Sequence, residues 1–275
     1  MKKISIFLLA FLSTTLLLAQ KKEKISGSKN LITKEQKIGD FSTIEVEDNI
    51  EISLERGEFP EIKIDADDNL IDVIDIEVRD NTLYLSTSKR VVKRKSLKIK
   101  VTYTSQLNTI ISKNDAVVNL IQEIITDNLT IKTFDNANVL INASTKNFVL
   151  QADDNSKIEL NLKSNETKIE LSKDAELKSL IKTDALALDM YQKTKSKIEG
   201  EANSSLIRLS NNATLEGSKL ETKSITLITE GQSKSSVNAK IDISITANEK
   251  TETDLYGEAK IDIKKFADKA ILSKK

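Results

Sequence analysis

A phrase that returns about every 19 residues constrains the fold of this chain more than any other feature of its sequence. It first reads KNDAVVNL, at residues 113–120, and each return carries a small residue at its centre. These small residues, 18 to 21 positions apart, are Ala116, Ala137, Ser156, Ala175, Thr194, Ala213, Ser233, Thr251 and Ala270. Because so short and steady a period is typical of stacked structural repeats, the sequence predicts a solenoid.

Each repeat contains short segments in which apolar residues lie two positions apart. Val118 and Leu120 follow the first small residue, and Ile158 and Leu160 follow the third. A second segment of this kind starts about 11 to 15 residues after each small residue, as in NLTI at 128–131. Alternation with period two indicates strands that bury one face. We therefore expect two short strands joined by turns in each repeat, and no helix.

One repeat cannot bury its own apolar face, so the repeats must stack to form a continuous core. Equivalent strands then pair in parallel, with about 4.8 Å between coils. The sequence therefore predicts an all-β, single-stranded parallel β-helix with coils of about 19 residues. The small residues suit the tight corners. We expect the residue just before each of them, such as Asp115 or Asn136, to adopt a left-handed or bridging backbone, which Asn and Asp tolerate.

Four parts of the chain differ in composition. Residues 1–19 have a basic start (Lys2, Lys3), an apolar run and a small residue before Gln20, which predicts a secretory signal peptide. The apolar run of about 15 residues is shorter than the roughly 20 that a membrane-spanning helix needs. Residues 20–37 are polar and Lys-rich, and are expected to be a flexible lead or a frayed first coil. Residues 38–112 alternate as N-terminal strands or first coils of the β-helix, and residues 113–275 form its regular part.

Composition limits which catalytic groups and metal ligands this protein can have. The chain has no Cys and no His, which excludes disulfides, a thiolate nucleophile, a Ser-His-Asp triad and a His-based zinc site. Its 42 basic residues balance its 42 acidic residues, which argues against a general nucleic-acid binder. Carboxylates are spread evenly and no long loop is available to wall a cleft. We therefore expect a protein that is not an enzyme and that uses neither a cofactor nor a metal.

Most of the chain resembles a known family. The residues that carry the resemblance are FSTIEVEDNIEISLERG at 41–57, IKIDADDNL at 62–70, VRDNTLYLS at 78–86 and KIKVTYTSQLNTI at 98–110. They are similar to the start of the GIN-domain family, the adhesin head domains of Bacteroidetes auto-transporters. A Gly-Ser-Gly-Asp-Val phrase repeats in that family, and here it has lost its glycines and become NDAVV, DNANV and DNSKI. The resemblance covers about residues 38–270 and implies a right-handed parallel β-helix in the cell envelope.

Two charged clusters and one polar column are candidate sites. Asp65, Asp67, Asp68 and Asn69, with Asp72 nearby, are either calcium ligands or, as turn propensity favours, a solvated acidic turn. A basic connection forms either an anionic-ligand patch or an exposed loop with solvated charges; its residues are Lys89, Arg90, Lys93, Arg94 and Lys95. The Asn, Asp and Thr residues that recur along the repeats either bind a sugar chain or form side-chain ladders that hold the turns.

Three hypotheses for function follow. The first is an exported, non-enzymatic protein of the periplasm, outer-membrane surface or extracellular space that presents a rigid surface for interaction or adhesion, with an envelope polysaccharide or protein as partner. The second is a structural module that associates with itself through an open coil end. The third is a polysaccharide-active enzyme, which would need converging carboxylates in a cleft. We expect no nucleic-acid partner and no transmembrane segment in the mature chain.

Overall fold

The computed structural model describes residues 22–120 and 122–275 of the chain. The predicted signal peptide, residues 1–19, lies outside the described residues. The protein is nearly all-β, with 68% strand and 2% helix, and forms a β-solenoid of about 9 turns with coils of about 19 residues. The predicted fold class is therefore confirmed.

The regular part of the solenoid is a ladder of long parallel strands. Each residue pairs with the residue one coil later, so that Ile158 lies between Val139 and Leu177. The strands of this part are β10 (Thr109–Ser112), β11 (Val117–Asn119), β12 (Ile124–Thr133), β13 (Asn138–Ala152), β14 (Lys157–Leu171), β15 (Glu176–Met190), β16 (Lys195–Leu209), β17 (Thr214–Thr229), β18 (Lys234–Ala247), β19 (Glu252–Tyr256), β20 (Lys260–Phe266) and β21 (Ile271–Lys274). The two short strands predicted for each coil are, in β13 to β18, two halves of one long strand.

Alternation along each strand places the core as the sequence predicted. Ile158 and Leu160 are buried, whereas Lys157 and Glu159 between them are exposed. The pattern changes phase where two successive residues are exposed, for example at Lys146 and Asn147. At that point the strand turns a corner, so its two halves bury their apolar faces against one shared core.

The tight turn of each coil differs by one position from the left-handed alternative of the prediction. Positive φ falls two residues before the small residue rather than just before it, as at Asn114 (φ 56°) and Asp154 (φ 58°). The same turn position holds Lys173, Gln192 and Glu249 in other coils. The residue just before the small one instead donates its N–H to the turn of the preceding coil, as Asn155 does to the Asp135 carbonyl at 2.7 Å. The inter-coil ladder therefore fixes which of the two turn residues is left-handed.

The N-terminal region mixes parallel and antiparallel pairing. Its strands are β1 (Lys24–Ser26), β2 (Leu31–Lys37), β3 (Thr43–Val46), β4 (Glu51–Arg56), β5 (Glu61–Asp67), β6 (Ile74–Arg79), β7 (Thr82–Thr87), β8 (Arg90–Lys93) and β9 (Leu97–Tyr103), with a 3₁₀ helix at Asp68–Val73. Strands β3 and β4 pair in parallel with β10 and β11 on one side and with β7 and β9 on the other, and so join this region to the stack. Strands β2, β5 and β9 pair antiparallel, as do β6 and β7.

In the described part of residues 20–37, for which the sequence predicted a flexible lead or a frayed first coil, the structure has two strands. Strand β1 pairs with β8, and the seven residues of β2 pair with β5 from Leu31 to Lys37. Almost every residue of β2 is exposed, so both of its faces meet water. An edge strand of this kind needs no apolar alternation, and for that reason the polar sequence gave no sign of a strand.

Candidate interaction surfaces

The acidic cluster of the N-terminal region is engaged in holding the chain together. Asp67 is fully buried, and its carboxylate accepts hydrogen bonds from the N–H groups of Lys29 (3.0 Å), Ser96 (3.0 Å) and Lys95 (3.2 Å). Asn69 accepts the Ser28 N–H at 2.8 Å. In the described part of the chain, no three or more acidic side chains are grouped as a metal site would require. The cluster joins three connections of the N-terminal region.

Two opposing effects set the ionisation of Asp67. Burial by itself would raise the pKa of this carboxyl group, but the N–H donors of Lys95, Ser96 and Lys29 lower the pKa below its ordinary value. Donors aimed at a carboxylate stabilise its charged form. Asp67 therefore stays ionised and supports the structure, which is a different role from calcium binding or from a solvated turn.

The five residues of the predicted basic patch lie on β8 and the connections beside it. Lys89 forms an ion pair with Glu23 at 2.8 Å, and Arg94 donates to Asn49 Oδ1 at 2.9 Å. Arg90 lines a small cleft that also contains Asp48 and Asp115. Lys93 and Lys95 are exposed. Acids and an amide of neighbouring connections thus face part of the patch, and the anionic-ligand role predicted for it stays a prediction.

The recurring polar residues at the turns form ladders, one of the two alternatives left open by the sequence. Asn136 donates its side-chain amide to Asp115 at 3.2 Å, and Asn155 donates to Asn136 at 3.4 Å, each one coil further along. The backbone N–H groups of the left-handed residues are held in the same way, as Asn114 is by the Asp135 carboxylate at 3.2 Å. These contacts link the turns of successive coils and stabilise them.

A groove with a volume of 720 Å³, which we call the corner groove, follows the corner between the two halves of the long strands. Its residues are Ser144, Thr145, Lys163, Ser164, Asn165, Lys182, Thr183, Asp184, Glu201, Ala202, Asn203, Glu221, Lys223, Lys240 and Ile241. Strand register places Lys163 beside Lys182, and Glu201 beside Glu221. Lys163 and Lys182 make the first coils of the groove cationic, whereas its later coils carry the carboxylates of Glu201 and Glu221 together with the cations Lys223 and Lys240.

Hydroxyl groups form the floor of the cationic part. Ser164 Oγ lies 3.0 Å from Thr183 Oγ1, and the two hydroxyls lie in adjacent coils. Thr183 also lies 3.1 Å from Thr167 Oγ1 beneath it. Thr145 is 8% exposed, and among the described residues its hydroxyl has no hydrogen-bond partner. The floor is thus built of small polar side chains that a ligand can approach closely.

Sequence reasoning did not find the corner groove. Its residues are neighbours only because one coil lies on the next, about 19 positions apart. One signal was available: Lys163 and Lys182 carry like charges 19 residues apart, as do Lys178 and Lys197. Like charges directly opposite each other destabilise a sheet. Such pairs are unusual in this repeat, where most other outward charges that face a charge in the next coil face one of opposite sign.

A second surface, a shallow trough of 550 Å³, lies on the first half of the same strands. Leu140 (42% exposed) and Leu180 (54% exposed) stand on its rim, next to Lys178 and Lys197. Large exposed apolar side chains that lie close together commonly mark interaction surfaces. The trough and the corner groove share strands β13 to β16, so both lie on the regular part of the solenoid.

The last described coil leaves core-facing side chains in contact with water. Ile261, Ile263 and Phe266 continue the inward columns of Ile243, Ile245 and Ala247, yet they are 40%, 51% and 42% exposed. The strand that carries them, β20, has a register irregularity between Ile263 and Lys265. Irregular edge strands rich in Lys resist further strand pairing, so this coil combines an apolar end with a hindered edge.

Carboxyl groups with resolved pKa shifts in the described residues are all shifted in one direction. The pKa values of Glu23, Asp67, Asp153 and Glu199 are lowered. Ion pairing and hydrogen bonding shift the pKa of carboxyl groups in this direction, whereas a general acid needs a raised pKa.

Helices of the length and apolarity needed to cross a membrane are not found among residues 22–120 and 122–275.

Known proteins share both sequence and fold with this chain. The sequence profile of the family described as "Putative auto-transporter adhesin, head GIN domain" matches residues 40–178 and 157–259. A putative adhesin from Parabacteroides distasonis superimposes with a TM-score of 0.71 at 16% identity, over 91% of this chain and 100% of the other. One from Parabacteroides merdae gives 0.63 at 17% identity, over 92% and 99%. No functionally curated protein matches.

A third solved structure, described as a putative lipid binding protein from Parabacteroides distasonis, gives a TM-score of 0.64 at 15% identity, over 92% of this chain and 100% of the other. Identities this low establish a shared fold and no shared ligand.

Proposed function

Because this chain belongs to the GIN-domain family of "putative auto-transporter adhesin" heads, we propose that it is an exported, non-enzymatic protein whose solenoid presents a rigid surface for adhesion. The observation that carries this proposal is the corner groove, which is open to solvent and runs across six successive coils from Ser144 to Lys240. A groove built on a continuous strand ladder keeps its shape without a ligand, and preorganised sites bind at lower entropic cost.

Export is proposed from the sequence of residues 1–19, whose basic start and apolar run are typical of a signal peptide. Cells that produce the full chain should carry it outside the cytoplasm, and protease added to intact cells should reach it if it is displayed on the surface. Recovery of uncleaved, protease-protected chain from the cytoplasm would contradict export.

Adhesion is tested with cells that carry or lack the gene for this chain. Producing cells should attach to polysaccharide-coated or cell-coated surfaces more strongly than cells that lack it, and added purified protein should compete. Equal attachment of both strains would contradict the proposed function.

Self-association through the last coil is a second candidate function. It is favoured by the exposure of Ile261, Ile263, Phe266 and Ile271 at the end of the stack. Light scattering of the purified chain should then show a mass that rises with concentration. Ile263→Lys should abolish the rise, because it places a charge in the apolar contact, while Lys260→Gln on the same strand should not. A constant monomer mass in the native chain would exclude this candidate.

A further inference from the structure

We propose that the corner groove binds an acidic polysaccharide, with carboxylate groups of the polymer held by Lys163 and Lys182. This inference rests on the proposed adhesive function and specifies the chemical class of its ligand. It is carried by the shape of the groove and by its distribution of charge and hydroxyl groups. It also rests on the strands beneath the groove, whose backbone groups are already paired with both neighbouring strands.

The shape of the groove fits a linear polymer. It crosses the coils that contain Ser144, Lys163, Lys182, Glu201, Glu221 and Lys240. With about 4.8 Å between coils, five intervals give a length of roughly 24 Å. The groove is open along this length and runs parallel to the solenoid axis. A chain of several sugar units can lie along it and continue beyond both ends.

The charge in the first half of the groove calls for anionic groups. Lys163 and Lys182 are directly paired in the strand register, so their charges repel each other. Lys182 has one counter-charge, Glu201 at 3.3 Å. Among residues 22–120 and 122–275, Lys163 has no ion-pair partner within 4.0 Å. A ligand carboxylate between the two ammonium groups would relieve this repulsion and accept charge-assisted hydrogen bonds from both.

The second half of the groove fits the neutral hydroxyl groups of a sugar. Glu201 and Glu221 supply acceptors, and each is ion-paired to a lysine of the groove: Glu201 to Lys182 at 3.3 Å, and Glu221 to Lys240 at 3.0 Å. The Asp184 carboxylate already accepts the Asn203 amide at 2.6 Å, which holds both side chains at the rim. These acceptors can bind hydroxyl donors, which a polyphosphate does not offer. A polymer with both hydroxyl and carboxylate groups therefore matches the whole groove better than a polyphosphate does.

Peptides and nucleic acids fit the groove less well. Extended peptides usually bind by adding a strand to a free sheet edge, whereas strands β13 to β17 under the groove are paired on both sides. Single-stranded nucleic acids rely on aromatic stacking, and the groove residues include no aromatic side chain. Recognition here must come from side-chain hydrogen bonds and charge, which suits a polyol.

The test measures binding of the purified full chain to three polymers: polygalacturonate, neutral dextran and poly-glutamate. The native protein should bind polygalacturonate more tightly than either of the others. The double variant Lys163→Gln/Lys182→Gln should bind polygalacturonate roughly tenfold or more weakly, which is about 1.4 kcal/mol or more. The matched control, Lys157→Gln/Lys178→Gln, removes two outward charges from the same two strands, outside the groove, and should change affinity by less than about twofold.

Several outcomes would overturn the inference. Equal losses in both double variants would mean that net charge alone binds the polymer. If poly-glutamate binds as tightly as polygalacturonate, the groove does not recognise the sugar units. If polygalacturonate does not bind, the groove is not a polysaccharide site. Melting temperatures close to that of the native chain establish that a variant has folded.

The same variants separate this inference from the proposed function. If displayed protein promotes attachment and Lys163→Gln/Lys182→Gln leaves attachment unchanged, the groove proposal fails and adhesion stands. If the purified chain binds polygalacturonate but never reaches the cell surface, the adhesive function fails and the site stands.

Discussion

Replacing Ile158 by alanine tests the stacking on which this account rests. Ile158 is 2% exposed and lies in register between Val139 and Leu177, which are also buried. The change deletes three carbon atoms, worth about 2.4 kcal/mol of transfer free energy at roughly 0.8 kcal/mol for each. Hydrogen bonds on both sides of β14 hold the adjacent coils in place, so the cavity cannot close fully and adds to the cost. We expect a total loss of about 3–4 kcal/mol, within the range of about 2–5 kcal/mol for such substitutions.

Urea denaturation followed by circular dichroism measures this loss, with Glu159→Ala as the control. Glu159 is the next residue of the same strand and points into solvent, so its substitution should change the free energy of unfolding by less than about 0.5 kcal/mol. In a thermal scan, 3 kcal/mol corresponds to a fall of roughly 6–12 °C for a domain of this size. The slope of the urea transition should be unchanged if the solenoid unfolds as one unit.

Equal midpoints for Ile158→Ala and Glu159→Ala would refute the inward and outward assignment of β14. A large fall in the slope for Ile158→Ala would show that the coils unfold separately, as repeat arrays do when their interfaces are weak. The free energy would then describe only part of the chain.

Four further substitutions, at three positions, test single structural features. The lowered pKa of Asp67 implies that its charge stabilises the fold at neutral pH and that this contribution is lost as pH falls below about 4. The difference in melting temperature between the native chain and Asp67→Asn should therefore shrink from pH 7 to pH 3. A constant difference would contradict the role of the carboxylate. Gln192 has a φ of 62°, so Gln192→Gly should stabilise by about 0.5 kcal/mol and Gln192→Val should destabilise; the reverse order in urea midpoints would be inconsistent with a left-handed turn. A Cβ at Gly200, where φ is 120°, would lie 2.0 Å from the Ile181 carbonyl oxygen, so Gly200→Ala should cost at least about 2 kcal/mol, and an unchanged melting temperature would show that the backbone there can move.

The pattern of small and apolar residues was sufficient to predict the stack. Ala116, Ala137 and Ser156 mark the corners, and the alternation around Ile158 and Leu160 fixes which side chains face inward. Both signals are local, because a strand with one buried face must alternate and a solenoid must repeat. The ladders at the turns, such as that from Asp115 to Asn155, also followed from the repeat.

Other features became visible only when distant segments came together. Strand β2 forms because β5 offers it a partner about 30 residues away, and a strand exposed on both faces carries no apolar pattern. Asp67 is buried because three connections converge on it, and a single carboxylate in the sequence looks the same whether it is buried or solvated. Which residue of each turn is left-handed is decided by the hydrogen bonds between coils.

The corner groove is the clearest case of a feature decided by tertiary structure. Lys163, Lys182 and Glu201 lie on three different strands and become neighbours only through the strand register. The sequence determined that coils of about 19 residues would stack, because that is the only way their apolar faces can leave water. It could not determine where a corner would open into a groove, because that depends on how the bends of successive coils align.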